Sequence, residues 1–427
     1  MNTVAGYITD VPYMFSFYKE MQPVWLNTVA VFQGMTPPDI NAIFTYCELG
    51  CGLGINLLIA AICNPQGCFV GVDVNAEHIR CANTMAEQLA LTNLSFIQAD
   101  FAEFAGTNQQ EFDFIVCHGT WSWISAENKQ HILHIVGQKL RPLGLFYLHY
   151  MCHPGATQML PIQKLIRTQT NLLSGSSIEK MQAAVYLLKQ LLAAGMFHDN
   201  PTLEQHLDTL SKREPNYLAH DLLSEHWLPE HSCDVHNQIK SEEVSYIGSA
   251  NVLDNITALS VPGAIQPVLE TIVEPQLREQ IKEMSRNQHQ RTDLFQRLAI
   301  SLTREQQALR LSNMSFVYLN NTDTAAGICF DTPIGPINAS TELIAPIMQL
   351  ASQQPATYSE LSKLKIFTQQ PALLLQILQM LMWHESVHPT PEVHKISHQQ
   401  QQNLSQWFEK KSLPLKVNAL CGAVLRT

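Results

Sequence analysis

Three glycines at alternate positions, Gly50, Gly52 and Gly54, lie between an apolar run that ends at Leu49 and a helical period that starts at Ile55. Glycine takes positive φ without a Cβ penalty, and the first turn of a helix leaves backbone N–H groups unpaired. A turn of this kind directly after a strand lets the backbone close on a nucleotide-like ligand. Cys51 and Asn56 ride on the same turn, and Glu48 sets a carboxylate just before it. Asp73 and Val74 follow in Phe69-Val70-Gly71-Val72-Asp73-Val74-Asn75. At the end of a second strand, the Asp73 carboxylate is placed to accept from both hydroxyls of a ribose. Asp100, closing the next apolar run, is placed to meet an adenine amino group, with Phe101 as a ring contact.

A fourth apolar run ends in Cys117-His118-Gly119-Thr120-Trp121-Ser122-Trp123-Ile124. In a doubly wound sheet this loop sits beside the reacting end of the ligand, so Cys117 and His118 are expected in its site. The aromatic faces of Trp121 and Trp123 suit a cation, and His118 is suited to orienting or deprotonating a nucleophile. The plainer alternative is that both tryptophans roof the sheet. Tyr13, Phe15, Phe17, Tyr18 and Trp25 form an aromatic segment before the first strand. Tyr13 and Tyr18 are candidates for the reaction channel, and Tyr150 and His153 for the same rim, although an aromatic stripe is more often core. His384-Glu385-Ser386-Val387-His388 matches the zinc pattern H-E-x-x-H, with His394 and His398 downstream. Pro389 and Pro391 interrupt the helix that this chemistry requires, so no metal is expected.

The elements that must hold these residues follow from periodicity. Strands are expected at 44–49, 68–72, 94–98, 112–117 and 145–150, with helices at 55–62, 77–90 and 127–140 between them. This alternation is the mark of an α/β sheet with helices on both faces. Residues 1–155 are read as the nucleotide-binding unit, 156–222 as a helical insertion or lid, 223–255 as a return to the sheet through a strand at 244–250, and 256–427 as a separate, mainly helical domain. The formal charge of -11, with 26 Lys and Arg in 427 residues, speaks against nucleic acid and an anionic membrane surface as partners. The opening residues lack a basic, then apolar, leader and no 18-residue apolar run occurs, so no membrane insertion and a cytoplasmic location are expected. Ten cysteines without a C-x-x-C pair read as small buried hydrophobes rather than a disulfide or zinc framework.

The G-x-G-x-G spacing with Glu48 before it resembles class I methyltransferases. Over residues 6–255 the sequence more specifically resembles bacterial methyltransferases with a methyltransferase regulatory domain, which include the rickettsial protein lysine methyltransferases. The likeness rests on the aromatic opening at 10–23, on Glu48–Asn56, on His118–Ser125 and on the stretch 148–156. It also includes 196–201, the run Asn216-Tyr217-Leu218-Ala219-His220-Asp221-Leu222-Leu223, and 246–255. Trp121 stands where the family more often has Tyr, and the likeness thins after 255. The resemblance implies a Rossmann-like doubly wound fold, S-adenosylmethionine as methyl donor with S-adenosylhomocysteine as product, and in-line transfer to an acceptor such as a protein lysine. No Asn-Pro-Pro-Tyr-like tetrapeptide follows the fourth strand, so base or glutamine-amide methylation of that type is not supported. A small-molecule acceptor, or a non-catalytic binding protein on the same fold, stays open at this point, as does a homodimer.

Overall fold

The computed structural model describes residues 3–4, 6–11, 15–319, 327–391, 398–413, 415–418, 421 and 424–426. Seven strands form the central sheet: β1 (Phe44–Leu49), β2 (Gly67–Asp73), β3 (Leu94–Gln98), β4 (Phe112–Cys117), β5 (Leu140–Met151), β6 (Val244–Ser249) and β7 (Gln290–Arg297). Their spatial order is β3-β2-β1-β4-β5-β7-β6. The first five run parallel, while β7 is antiparallel to both β5 and β6. All six residues of β1 are buried, as a central strand covered on both faces requires. The chain runs outward from β1 to β3, then crosses back to β4, so the order reverses between β1 and β4. In such a sheet the ligand crevice lies at the carboxyl ends of those two strands.

Helices α1 (Pro23–Phe32), α2 (Ile55–Cys63), α3 (Ala76–Gln88), α4 (Phe101–Thr107) and α5 (Ala126–Lys139) cover this sheet. Asn75, Asp100 and Ser125 each accept from a backbone N–H of the first turn of α3, α4 and α5 respectively, which fixes where these helices begin. Between β5 and β6 come α6 (Met159–Asn171), α7 (Ser177–Ala193), α8 (Pro201–Leu210), α9 (Pro215–Leu222) and α10 (Ser232–Lys240). The first four form the helical insertion, with their own core around Ile166, Met181, Leu188 and Leu207. Ile8 and Val11 from the N-terminal segment are part of that core.

Beyond residue 255 the structure departs from the sequence reading. The sheet takes its seventh strand, β7, from the segment read as a separate C-terminal domain, and β7 lies inside the sheet rather than at its edge. The remainder is helical with small antiparallel sheets, among them Ser315–Tyr318 between Ala356–Thr357 and Val387–Thr390. Phe316, Ile344, Leu378 and Met382 share one core with Trp25, Tyr46 and Phe69 of the nucleotide-binding unit. Among the described residues no helix is long and apolar enough to cross a membrane.

Candidate active site

The turn after β1 holds Gly50, Gly52 and Gly54 at φ of 75°, 52° and 70°, the left-handed region that L side chains rarely adopt. A Cβ on Gly50 would lie 2.3 Å from Thr120 Oγ1, and one on Gly54 would lie 2.4 Å from the Phe96 ring. Around Gly52 the space is open, and that space is the cavity. The turn is pinned from both sides. Gly50 and Cys51 donate to the Val72 carbonyl at 2.8 and 3.0 Å, and Gly52 donates to Asp73 Oδ2 at 2.8 Å. The other Asp73 oxygen accepts from Asn75 N at 2.8 Å, so the carboxylate is held at the strand end rather than free to rotate.

Glu48, the residue before Leu49, is buried, and its Oε2 has no hydrogen-bond partner. Burial, and then the Asp73 carboxylate, push its carboxyl well above the ordinary range. An acid with an orphaned oxygen lining a cavity marks the place where a ligand donor belongs.

Two adjoining cavities open here. The first is lined by Glu48, Gly50, Cys51, Gly52, Gly54, Asn56, Asp73, Val74, Asp100 and Phe101, together with Tyr18, His118 and Trp123. The second is lined by Lys19, Glu20, Tyr147, His149, Tyr217, His220, Asp221, Asp254, Gln290, Trp383 and Glu385 among others. Tyr7, Tyr18, His118, Gly119 and Trp123 line both and form the wall between them.

That wall is a stack of rings. The Tyr18 and His118 centroids are 3.8 Å apart, those of His118 and His149 4.2 Å, and those of His149 and Trp123 6.3 Å. His118 Nδ1 lies 2.8 Å from the Tyr147 hydroxyl, and Gly119 N donates to His149 Nδ1 at 3.1 Å. Burial, reinforced by His149, holds His118 well below the usual histidine value. Burial brings His149 down to about 4. Both rings are therefore neutral near pH 7. Asn56, expected at the ligand, also accepts from Tyr18 N through Oδ1 at 2.9 Å, tying the N-terminal aromatic segment to the glycine turn.

Four expected site residues fall elsewhere. Trp121 is fully buried beneath the sheet end, with Nε1 donating to Glu230 Oε2 at 2.8 Å and Lys129 held over its ring. Two residues further on, the 3₁₀ turn (Trp121–Trp123) carries Trp123 to the cavity wall instead. Cys117 points into the core below β4. Tyr150 is also buried there, its hydroxyl donating to Asp293 Oδ2 at 2.6 Å. Alternation along β5 explains this: His149 faces the cavity, so its neighbour Tyr150 faces away. His153 pairs with Thr157 Oγ1 at 2.8 Å, outside both cavities. Tyr13 lies outside the described residues.

The H-E-x-x-H match does not place two histidines on one helix face. His384 caps the helix Pro371–Trp383, while His388 sits in Val387–Thr390 with its ring 5.5 Å from Trp25. Glu385 of the same stretch lines the second cavity. His394 and the His398 side chain lie outside the described residues.

Sequence reasoning missed Tyr7, Tyr147, His149, His220 and Asp221. The two histidines sit in apolar runs, Leu148-His149-Tyr150 and Leu218-Ala219-His220, which read as core. Their signal was their place within stretches shared with the family, not their composition.

Residues 40–244 match a family model described as a methyltransferase domain, and residues 214–297 match one described as a predicted methyltransferase regulatory domain. Among curated proteins, the chain is 29% identical over 360 residues to the uncharacterized protein sll1526 of Synechocystis sp., covering 84% of this chain and 71% of that one. It is 26% identical over 290 residues to the uncharacterized protein RP789 of Rickettsia prowazekii, spanning 67% of this chain and 52% of that protein. Among solved structures, PKMT2 from Rickettsia typhi, determined in complex with AdoHcy, shares the fold with a TM-score of 0.69 at 20% identity. That match covers 88% of this chain and 77% of that one.

Proposed function

We propose that this chain, whose residues 40–244 match a methyltransferase domain and 214–297 a predicted methyltransferase regulatory domain, uses S-adenosylmethionine to methylate an amine, specifically the side-chain amine of a protein lysine. Bound S-adenosylmethionine supplies an electrophilic methyl group on a sulfonium. The residues of the first cavity fit that donor. Asp73, held by Gly52 and Asn75, would take the ribose hydroxyls. Asp100 and Phe101 would border the adenine, and the orphaned Oε2 of Glu48 is matched to an ammonium such as that of the methionine moiety.

The lining of the second cavity carries the amine reading. Glu20, Asp221, Asp254 and Glu385 bring four carboxylates to it; Lys19 pairs with Glu20 and Glu385 at 2.6 and 2.9 Å, Arg286 stands 3.7 Å from Asp254, and burial raises the Asp221 carboxyl, which leaves the lining acidic by a small margin. A cavity of that charge favours a cationic acceptor. The wall rings Tyr7, Tyr18, His118 and Trp123 then enclose a long aliphatic stem while exposing the nitrogen to the first cavity. Alignment across that wall is the main source of catalysis, since in-line transfer needs no covalent enzyme intermediate.

The test is to incubate the purified protein and S-adenosylmethionine with lysine peptides, folded candidate proteins and a metabolite mixture, and to read methyl mass shifts. Methylation at lysine in a peptide or protein is the expected result. Turnover confined to the metabolite arm would replace the reading with a small-molecule acceptor. Cofactor binding by calorimetry with no turnover in any arm would leave a binding protein.

A further inference from the structure

The lysine reading leaves a proton to be accounted for. A lysine arrives as an ammonium, with a reference pKa near 10.4, and only the neutral amine has the lone pair that attacks. The histidine expected for this task, His118, is poorly suited to it. Its Nδ1 is taken up by the Tyr147 hydroxyl, and it stacks on His149, where a second positive charge is repelled.

A different pair is built for it. The Tyr7 hydroxyl lies 2.9 Å from His220 Nδ1, and the two rings stack at 5.5 Å. On its far side, His220 Nε2 lies 3.0 Å from the Val11 carbonyl oxygen. A carbonyl only accepts, so Nε2 carries the hydrogen, Nδ1 is the bare nitrogen, and the Tyr7 hydroxyl donates to it. Tyr7 lines both cavities and His220 lines the second, so the pair runs from the methyl-transfer wall into the acceptor cavity.

We propose that Tyr7 and His220 form the proton relay of the reaction, with Tyr7 the catalytic residue that touches the acceptor amine and His220 the residue that acts through it. This rests on the amine-acceptor reading. The ammonium gives a proton to the Tyr7 oxygen as Tyr7 passes its own to His220 Nδ1, so Tyr7 is unchanged and His220 becomes an imidazolium still bonded to Val11. The freed lone pair forms the nitrogen–methyl bond as the methyl–sulfur bond breaks, and that bond's electron pair stays on sulfur. His220 then returns its proton to water in the second cavity, one proton per methyl transferred. The surrounding charges bear on this step. Tyr217 and Asp221 lie on the same helix with Arg213 over the Tyr217 ring, Glu225 and His226 flank Gly6, and Lys19, Glu20, Glu385 and Asp254, the last paired with Arg286, face the cavity. With carboxylates in the majority, they favour a transient cation there.

Tyr7→Phe and His220→Asn, which keeps an acceptor oxygen for the tyrosine, test the relay on the full chain with a lysine peptide. Cofactor affinity by calorimetry is expected to be unchanged in His220→Asn, which lies outside the cofactor cavity, while kcat falls roughly 10²- to 10⁴-fold in both variants, the range of a lost proton-transfer group. In the unaltered protein kcat/KM on the lysine peptide falls toward acid pH, because a relay that already holds the proton cannot take another; His220→Asn loses that limb. A peptide with an aminooxy group in place of the lysine amine is already neutral at the assay pH and needs no base, so the loss of rate in His220→Asn is far smaller on it than on the lysine peptide. The limb also disappears in the unaltered protein with that peptide, a measurement that requires no variant. Variants within about threefold of the unaltered rate on lysine, or a limb that persists with the aminooxy peptide, would overturn the relay alone. Absence of methylation of either peptide by the unaltered protein would remove the amine acceptor, and the relay with it.

Discussion

Two tryptophans separated by one residue have opposite fates here, and side-chain direction decides between them. Trp121 is fully buried, with Glu230 and Lys129 around it, while Trp123 stacks toward His149 at the wall and donates through Nε1 to the Asp221 carbonyl at 2.9 Å. Replacing Trp121 by Ala removes a large core side chain and strands the Glu230–Lys129 pair, with an expected cost of about 3–5 kcal/mol. Trp123 is also buried, packed with Met151 and Ala156, so Trp123→Ala costs stability too, but it in addition opens the wall between the cavities. The expected outcome is a large drop in melting temperature for Trp121→Ala, with acceptor KM near normal in whatever protein remains folded. Trp123→Ala should lower the melting temperature as well but, unlike Trp121→Ala, with a raised acceptor KM in the folded protein. Thermal unfolding and steady-state kinetics on the two variants check it; a larger KM effect at Trp121 would return that residue to the site.

At the scale of the element, β7 carries the clearest lesson about reading the chain. Gln290–Arg297 is rich in charged and amide side chains, which in a sequence signal solvent, yet Arg291, Asp293 and Gln296 are buried. Burial by itself would raise the Asp293 carboxyl. Arg291 at 3.0 Å and His236 at 2.8 Å outweigh that and hold it far below the ordinary range. Because its folded value is depressed, this carboxylate contributes stability that is present above its unfolded value near 4 and is lost as pH falls through the folded value. Asp293→Asn leaves Arg291 with Glu279 at 3.3 Å as its remaining acidic partner and is expected to cost about 3–5 kcal/mol at neutral pH. The loss should shrink toward acid, as melting temperatures between neutral pH and acid will show. The strands that were legible, β1, β3 and β4, match their expected residues because short runs rich in apolar and aromatic residues between helical periods leave little ambiguity. A strand whose interior polar groups satisfy one another gives no such signal. The cofactor half of the site was legible for a related reason: glycine geometry and strand-end carboxylates are local. The acceptor half gathers Tyr7, His149, His220 and Glu385 from four distant segments, and no local pattern announces that meeting.

At the scale of the whole molecule, the region after residue 297 reaches both cavities by different routes. The helix His398–Lys410 packs Leu404, Trp407 and Phe408 onto Ile55, Leu58, Ile59 and Ile62 of α2, the helix that begins at the glycine turn, with Phe15 edge-on to Trp407 at 6.3 Å. The helix Pro371–Trp383 instead delivers Trp383 and Glu385 to the acceptor cavity. Glu385 adopts a left-handed φ of 61° just past that helix, where glycine is the usual choice. Damage at these two contacts therefore separates by ligand. Trp407→Ala empties a buried site behind α2, and the loss of support for the glycine turn is expected to weaken S-adenosylmethionine binding together with the melting temperature. Glu385→Gln removes one cavity charge and the Lys19 ion pair, whose exposed partner limits its worth to about 1 kcal/mol or less. Cofactor affinity there should stay unchanged while KM for a lysine peptide rises. Calorimetry with the cofactor and kinetics with the peptide, run on both variants, read the two routes independently. A Glu385→Gln protein that loses cofactor affinity, or a Trp407→Ala protein that keeps it, would show that the C-terminal region is not divided in this way.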